Sequence, residues 1–187
     1  MPKIKIKKDR VAFEGKFISL IIREFIGVHG TRGQWEMVDR RVFGDVVAIA
    51  AVTAQNELIV EKIYRMPVKK YAIELPAGLA DRKNESSRAL ARRELLEETG
   101  YAADKFTRMA RGVFNAARDN DRMSVFLAEN ARKVREPDHE NAEDITVLKI
   151  PLSRLYHFLT HPPKNSEVDL KLFGVPYLLE KHGYTCS

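Results

Sequence analysis

Short apolar runs alternate along the chain with polar turns that contain glycine, asparagine or proline, and this pattern predicts a protein rich in strands. Turn signals are clear at Gly27–Gly33 and Pro76–Asn84. Between such turns the runs are rich in β-branched and aromatic residues, which favour strands. The strands predicted in this way are Phe17–Ile26, Gln34–Val42, Val46–Val52, Glu57–Tyr64, Phe106–Phe114, Met123–Ala128 and Ile145–Ile150.

Two regions have a helical pattern. Asn84–Thr99 is rich in Ala, Leu, Arg and Glu and is followed by Gly100, a residue type that commonly ends helices. Near the end of the sequence, Pro151–His161 and Glu167–His182 are predicted to be helices, and Pro176 should kink or restart the second. Strands mixed with helices in this order predict an α/β (α+β) fold.

The first 45 residues form a basic, hairpin-like unit. An isolated hairpin is marginal in water, so this unit is expected to pack on the rest of the chain or on another subunit. We interpret the lysine-rich start, Lys3–Lys8, as a solvated basic tail. The predicted division is an N-terminal β unit at 1–45 and a main domain at 46–187.

Composition excludes several classes of protein. The 187 residues are 44% hydrophobic and 31% charged, which is typical of a folded globular domain and not of a disordered chain. No apolar run suggests a membrane span or a secretion signal. Cys186 is the single cysteine, which excludes an internal disulfide and a cysteine-based zinc site. We expect a cytoplasmic protein, and the net charge of +6 only weakly favours an anionic partner.

The helix that ends at Gly100 carries three acids on one side. At 100° per residue, Glu98 lies about 40° and Glu97 about −60° from Glu94. Arg93 is one turn from Glu97 and can orient it, but one cation cannot neutralise three carboxylates. Such a sector favours a hard divalent cation such as Mg²⁺, which prefers oxygen ligands. A solvated helix face with intrahelical ion pairs is the alternative that the helix alone leaves open.

These residues resemble the Nudix box. The matching positions are Gly78, Glu85 and Arg93-Glu94-Leu95-Leu96-Glu97-Glu98-Thr99-Gly100-Tyr101. Six residues, Leu79 to Asn84, separate Gly78 from Glu85 where the family has five. The resemblance implies a divalent-metal hydrolase with a Nudix α/β/α sandwich and a mixed sheet. The insertion leaves the second half of the motif intact, where the family binds its metal.

Two further segments resemble one branch of this family. Glu61–Arg65 followed by Pro67, and then Glu74–Gly78, are similar to the ADP-ribose pyrophosphatases, a branch that includes hydrolases of other nucleoside diphosphate sugars. The resemblance implies a small N-terminal antiparallel β subdomain before the sandwich. It also implies a homodimer in which the N-terminal parts are exchanged or shared.

The resemblance assigns a metal-binding set for Mg²⁺, or for Mn²⁺ in its place. Its members are the Ala77 carbonyl, Glu94, Glu98 and Glu143, with Glu97 and Arg93 beside them. Glu140 lies near the position of the general base, although its spacing to Glu143 is one residue longer than in relatives. Asp138, His139 and Glu97 therefore remain alternatives for the base.

Residues for substrate binding follow from the same resemblance. Candidates for the diphosphate are Arg40, Arg41 and Arg65, whose planar forks suit phosphate oxygens. Leu79 follows the motif glycine, and Asp121 stands where relatives carry a substrate-contacting Glu, although the Pro and Gly of their preceding turn are absent. Trp35 is a candidate for stacking on the base. Structural salt bridges for the arginines and a core position for Trp35 are the alternatives.

The expected reaction is hydrolysis of ADP-ribose to AMP and ribose 5-phosphate. A broader nucleoside diphosphate sugar hydrolase is one alternative, and a catalytically silent nucleotide-binding module is another. We expect no membrane partner and no nucleic-acid partner, because the basic run at the start has no aromatic residues interleaved with its lysines.

Overall fold

The N-terminal residues form an antiparallel sheet of three strands in the computed structural model, which describes residues 3–40, 42–113, 115–139 and 144–187. The strands are β1 (Lys5–Glu14), β2 (Ile18–Ile26) and β3 (Arg32–Arg40), paired in that order. The interpretation of the lysine run as a tail is wrong from Lys5 onward. Apolar and charged residues alternate along Ile4–Lys7, a period of two that is typical of a strand, and the lysines stay exposed within it.

The second sheet is mixed and contains nine strands within the described residues. They are β4 (Val46–Thr53), β5 (Glu57–Arg65), β6 (Lys70–Glu74), β7 (Ala77–Gly78), β8 (Tyr101–Ala102), β9 (Lys105–Val113), β10 (Arg122–Lys133), β11 (Ile145–Pro151) and β12 (Ser166–Val168). The order is β12-β6-β5-β4-β10-β8, with β11 on β5, β7 on β4 and β9 on β10. The β4–β10 and β6–β12 pairs are parallel. The short strand β7 was not predicted, and it positions the candidate site.

Helices cover both faces of the second sheet. They are α1 (Ser87–Thr99), α2 (Leu155–Thr160) and α3 (Val175–Glu180), with 3₁₀ turns at Leu152–Arg154 and Leu170–Gly174. The predicted helix Glu167–His182 is wrong over its first half, because that stretch begins in β12 and Asp169 then caps a 3₁₀ turn. Pro176 lies in the first turn of α3, so it restarts a helix as expected.

Strand β4 is the centre of the core. All eight of its residues are buried, and the seven apolar ones, Val46–Val52, alternate between two clusters. One cluster packs beneath α1 with Leu90 and Leu95, and the other packs beneath α2 and α3 with Leu155 and Leu179. The result is a helix–sheet–helix sandwich with a small antiparallel sheet before it, and the predicted fold class is confirmed. None of the helices in the described ranges is long and apolar enough to cross a bilayer.

Candidate active site

Helix α1 is defined at both ends by its own sequence. The Ser86 hydroxyl accepts a hydrogen bond from the amide of Ala89 at 3.2 Å, which is an N-cap. Asn84 has a left-handed backbone (φ 66°), so the helix begins three residues later than predicted. At the other end Gly100 has φ 74° and donates to the Leu96 carbonyl, as the sequence predicts for a terminating glycine.

Arg93 is the hub of the carboxylates around α1. Its guanidinium bonds both oxygens of Glu85 at 3.1 and 3.0 Å and contacts Asp81 at 2.9 Å. It also pairs with Glu94 at 2.8 Å and with Glu97 at 2.9 Å. The arginine side chain is 15% exposed, and the hydrogen bonds with Glu85 are the main cause of its raised pKa. Four acids on one cation leave an excess of negative charge.

Glu94 has a strongly raised pKa. Its side chain is 13% exposed, and burial raises its pKa to about 7. Arg93 opposes this rise in the pKa, while the charges of Glu97, Asp81 and Glu85 add to it. A bound cation would stabilise the charged form of such a carboxyl group, because burial and the neighbouring acids disfavour that form.

Strand β7 and helix α1 bring three of the predicted metal-binding residues to one place. The Ala77 amide donates to Oε2 of Glu98 at 2.9 Å. A Cβ built on Gly78 would lie closer than 3.0 Å to Cγ, Cδ and Oε1 of Glu94, so the glycine makes room for that carboxyl group. Ala77 and Gly78 pair with the buried strand β4, which fixes them against α1. The structure therefore brings Ala77, Glu94 and Glu98 together.

A second charged group lies at the end of β5. Arg65 bonds both carboxylate oxygens of Glu74, at 2.9 and 2.8 Å. These bonds are the main cause of the raised pKa of Arg65, and the charges of Glu98 and Glu61 contribute to it. Arg65 is thus within electrostatic range of Glu98, although the guanidinium of Arg65 already bonds Glu74. Glu61 is 2% exposed and lies opposite Glu74 in the sheet.

Arg40 and Asp121 contact each other. Arg40 Nε lies 2.9 Å from Oδ2 of Asp121, whose side chain is 4% exposed. Burial raises the pKa of Asp121, and the charge of Arg40 opposes that rise. The pair joins β3 to the segment before β10, next to a backbone bond from Val38 to the Arg118 carbonyl. The structure thus gives both residues a structural contact.

Trp35 and Leu79 are accessible side chains. Trp35 is 50% exposed, which excludes the core position considered from sequence, and its indole N–H donates to the Ala117 carbonyl at 2.9 Å. It lines a cavity of about 390 Å³ with apolar neighbours that include Phe25 and Met37. Leu79 is exposed directly after Gly78. Both retain a surface that a substrate can reach.

The segment after β10 closes over the end of α1. The Asp138 amide donates to the Glu97 carbonyl at 2.8 Å, and His139 Nε2 lies 2.6 Å from the Glu98 carbonyl. This contact occupies one nitrogen of His139, and Asp138 is exposed. The predicted residues Arg41, Glu140 and Glu143 lie outside the described residues.

Sequence reasoning missed Asp81, Glu74 and Glu61 as members of the site. Asp81 lies in the inserted loop, and no periodic pattern marks it. Glu74 was quoted only for the resemblance, and its partner Arg65 comes from the neighbouring strand. The continuous apolar run Leu58–Val60 could have marked Glu61 as an acid on a largely buried strand.

The oxygen atoms of the described residues are suitable ligands for a hard cation, but they do not form a complete metal site. Carboxylate and carbonyl oxygens around Ala77 are the ligand type that Mg²⁺, Mn²⁺ and Ca²⁺ accept. The room left by Gly78 and the excess of acids over cations fit such an ion. Across residues 3–40, 42–113, 115–139 and 144–187, no three His, Cys, Asp or Glu side chains form a ready metal cluster.

Comparisons with known proteins identify relatives of this chain. No family model matches the chain. It is 33% identical over 149 residues to the ADP-ribose pyrophosphatase of Bacillus subtilis, covering 79% of this chain and 77% of that protein. It is 32% identical over 176 residues to the putative nudix hydrolase 2 of Caenorhabditis elegans, covering 86% and 78%.

A solved structure supports the fold. The crystal structure of an ADP compounds hydrolase matches 98% of this chain and 97% of its own, with a TM-score of 0.81 and 21% identity. At that identity the likeness concerns architecture alone. The family resemblance seen in the sequence is confirmed by the curated relatives: the chain belongs to the Nudix hydrolases, in the ADP-ribose pyrophosphatase branch, and is an enzyme of that family.

Proposed function

We propose that this enzyme hydrolyses the diphosphate bond of ADP-ribose or a related nucleoside diphosphate sugar, in a reaction that requires a divalent metal. The products would be a nucleoside monophosphate and a sugar phosphate, which for ADP-ribose are AMP and ribose 5-phosphate. The observation that carries the proposal is the packing of Glu94 and Glu98 against Ala77 and Gly78. The names of relatives in Bacillus subtilis and Mus musculus, an ADP-ribose pyrophosphatase and an ADP-sugar pyrophosphatase, support the substrate class.

Mg²⁺, or Mn²⁺ in its place, is the proposed cofactor. The residues that would hold it are the Ala77 carbonyl, Glu94, Glu98 and Glu143. When bound, the cation would polarise the diphosphate and offset charge on the leaving oxygen. Arg93 pairs with both Glu94 and Glu97, so its positive charge offsets part of the repulsion between these acids.

Glu140 is the proposed general base that takes a proton from the attacking water. The structure supports this choice against His139, because one ring nitrogen of His139 bonds the Glu98 carbonyl. Asp138 is an exposed residue whose amide bonds to the helix end. The carboxylate of Glu97 is already engaged, because Nη1 of Arg93 donates to its Oε2 at 2.9 Å.

The proposed substrate contacts surround this centre. Arg65, Arg40 and Arg41 would meet the diphosphate, with Arg65 sharing its fork between phosphate and Glu74. Trp35 would offer its exposed face to the base, because it lines a cavity large enough for part of a planar ring. Leu79 and Asp121 complete the set, Asp121 through its contact with Arg40.

A homodimer is the proposed assembly, with 1–45 as the exchanged unit and 46–187 as the catalytic domain, in the cytoplasm. All ten residues of β1 are exposed in a single copy. Val11, Phe13 and Phe17 are large apolar side chains among the exposed residues of this unit. Burying such side chains against a second copy would stabilise the sheet. Light scattering of the full chain should therefore give twice its monomer mass, and a monomer would contradict the assembly.

A substrate and metal panel tests the reaction. Purified protein is incubated with ADP-ribose, ADP-glucose or other nucleoside diphosphate sugars, with Mg²⁺, Mn²⁺ or chelator, and released monophosphate is measured. Preferential turnover of ADP-ribose with metal is expected. Equal turnover of ADP-ribose and ADP-glucose would favour the broad hydrolase. Nucleotide binding without any turnover would favour the silent module.

A matched pair of variants tests the metal assignment. Glu98→Gln should lower kcat by about 100-fold or more, because a neutral amide is a poor ligand for a hard cation. Glu167→Gln is the control. Glu167 lies on β12, is exposed, and forms an ion pair with Lys70 on β6. Unchanged activity of Glu98→Gln would overturn the assignment.

A further inference from the structure

Arg65 is bonded by an acid that the Nudix box does not include. We propose that Glu74 is a positioning residue for hydrolysis, which holds the guanidinium of Arg65 in the orientation that receives the diphosphate of the substrate. The inference rests on the proposed function, which assigns Arg65 to the diphosphate and Glu98 to the metal. It deepens that function by naming the residue that sets the direction of the phosphate contact.

Arg65 is the last residue of β5 and stands beside an exposed turn. Arg65 itself is exposed, and so are all the residues of the turn 66–69. An arginine side chain has several rotatable bonds, and holding it in one conformation costs entropy that a partner has to offset. At this place the side chain could extend into water past the turn. A fixed guanidinium therefore requires a partner that turns it back over the sheet.

Glu74 lies on the same face of the sheet as Arg65. In the antiparallel pairing of β5 with β6, Arg65 is opposite Lys70 and Glu61 is opposite Glu74. Opposite residues of such a pair share a face, and every second residue along a strand returns to it, so all four side chains share one face. To reach Glu74, the side chain of Arg65 runs along the sheet away from the exposed turn. It thus points toward the end of β6, from which the chain continues into β7 and Ala77.

Glu74 takes one edge of the guanidinium and leaves the rest of it available. Nε and Nη2 of Arg65 donate to the two carboxylate oxygens of Glu74, at 2.9 and 2.8 Å. A guanidinium has five N–H donors in one plane, so three remain, on Nη1 and Nη2. Two parallel bonds fix the plane of the group as well as its position. The remaining donors therefore have a set direction, and phosphate oxygens can accept from them.

Two other acids attract the same guanidinium. The charges of Glu98 and Glu61 add to the effect of the Glu74 bonds on the raised pKa of Arg65, so both carboxylates lie within electrostatic range. The side chain of Glu98 accepts from the Ala77 amide and is a proposed metal ligand. Without Glu74, the attraction of these two acids would draw the arginine out of its orientation. The side chain of Glu74 is 15% exposed, which makes its pair with Arg65 less hydrated than an ion pair on an open surface.

The affinity for ADP-ribose, measured by calorimetry on the full chain in the presence of chelator, tests the proposal without turnover. Glu74→Gln should raise the Kd about tenfold or more, the scale of one charge-assisted hydrogen bond. Arg65→Gln should raise it at least as much. The double variant should bind no more weakly than Arg65→Gln alone, because Glu74 acts through the arginine. In turnover with Mg²⁺, Glu74→Gln should raise KM by a similar factor and change kcat by less than about threefold.

Two further variants complete the experiment. Arg65→Lys keeps the charge but lacks the planar fork, so it should weaken binding as Glu74→Gln does. It leaves Glu74 in place and is therefore an independent measurement. Glu57→Gln is the matched control, because Glu57 is another partly buried acid of this sheet, paired with Lys149 at 3.4 Å, at the opposite end of β5. It should retain the wild-type Kd and KM.

Three results would overturn the inference and leave the proposed function intact. The first is an equal effect of Glu74→Gln on the Kd with and without Arg65, because Glu74 would then not act through the arginine. The second is a lower melting temperature with unchanged Kd and KM, which would make the pair a structural salt bridge. The third is wild-type affinity in both Glu74→Gln and Arg65→Lys. A wild-type protein that neither binds nor hydrolyses ADP-ribose would overturn the proposed function and this inference with it.

Discussion

The carboxyl group of Glu94 occupies the space into which a side chain on Gly78 would project. A Cβ at this position would come closer than 3.0 Å to three atoms of Glu94, a separation that Cβ atoms do not adopt. The glycine of the motif is therefore a steric requirement of the acid sixteen residues later. Its backbone conformation is ordinary, since its φ is not in the left-handed region.

Gly78→Ala should lower both stability and activity. The added methyl group forces Glu94 or β7 to move, and overpacking of this kind costs about 1–3 kcal/mol of unfolding free energy. We expect kcat to fall because Glu94 leaves Ala77 and Glu98. Gly112→Ala is the control, because a Cβ there meets nothing within 4 Å. Denaturant unfolding and turnover are the measurements, and equal effects of the two substitutions would contradict the steric account.

Arg93→Lys should destabilise the protein by about 1–3 kcal/mol although it preserves the charge, because one ammonium cannot bond the carboxylates that a guanidinium fork reaches. Arg92→Lys is the matched control: Arg92 is the neighbouring residue, exposed and lying over the Phe106 ring. Thermal unfolding separates the two. A similar loss in both variants would show that the Arg93 network adds nothing beyond ordinary surface charge.

The stability of the metal-free protein should fall between about pH 4.5 and pH 7. The pKa of Glu94 is raised from 4.5 to about 7, so the folded state binds more protons than the unfolded state in this window. The contribution of Glu94 is then fully favourable below pH 4.5 and is lost as the pH rises through 7, a difference on the order of 3 kcal/mol.

Glu94→Gln isolates this contribution. Its unfolding free energy, measured with chelator at pH 5 and pH 8, should decline less than that of the wild type. Added Mg²⁺ should restore wild-type stability at pH 8, because a ligand that binds only the folded state stabilises it. Parallel pH curves for variant and wild type would contradict the assignment to Glu94.

Gly100→Ala should lower the stability of the protein more than Gly30→Ala does, although both substitutions impose a similar backbone strain. Gly100 and Gly30 both have left-handed φ, 74° and 81°, which costs a side chain about 1–2 kcal/mol. At Gly100 the new Cβ also collides with the Arg135 carbonyl, whereas at Gly30 it meets nothing. We expect a further loss of about 1–3 kcal/mol at Gly100, measured by thermal unfolding. Equal losses would mean that the backbone at Arg135 moves aside freely.

The sequence predicted those features that depend on local periodicity. Three acids in one sector of a helix follow from 3.6 residues per turn, and the end of the helix at Gly100 follows from the residue type; the structure has a helix with both. Strand β1 was missed because its lysines dominate the composition, although Ile4 and Ile6 alternate with them. The last helix was extended too far because the pairing of β12 with β6 depends on residues nearly a hundred positions away.

The pairing of charged side chains could not be predicted for the same reason. Arg40 forms an ion pair with Asp121, and Arg93 forms one with Asp81, which lies in a loop with no periodic pattern. Each partner is set by the folded arrangement of strands and loops and not by spacing in the sequence. The resemblance to the family predicted which residues belong to the site, whereas the ion-pair partner of each residue is known only from the fold.

The contact of Trp35 with Ala117 also gives this protein a built-in optical probe. Trp35 is the only tryptophan in the chain, so the indole emission of the whole protein comes from one position. That position is half exposed and bonded across the junction between the first sheet and the segment before β10. Separation of these two parts would shift the emission without any label, and it would do so independently of turnover.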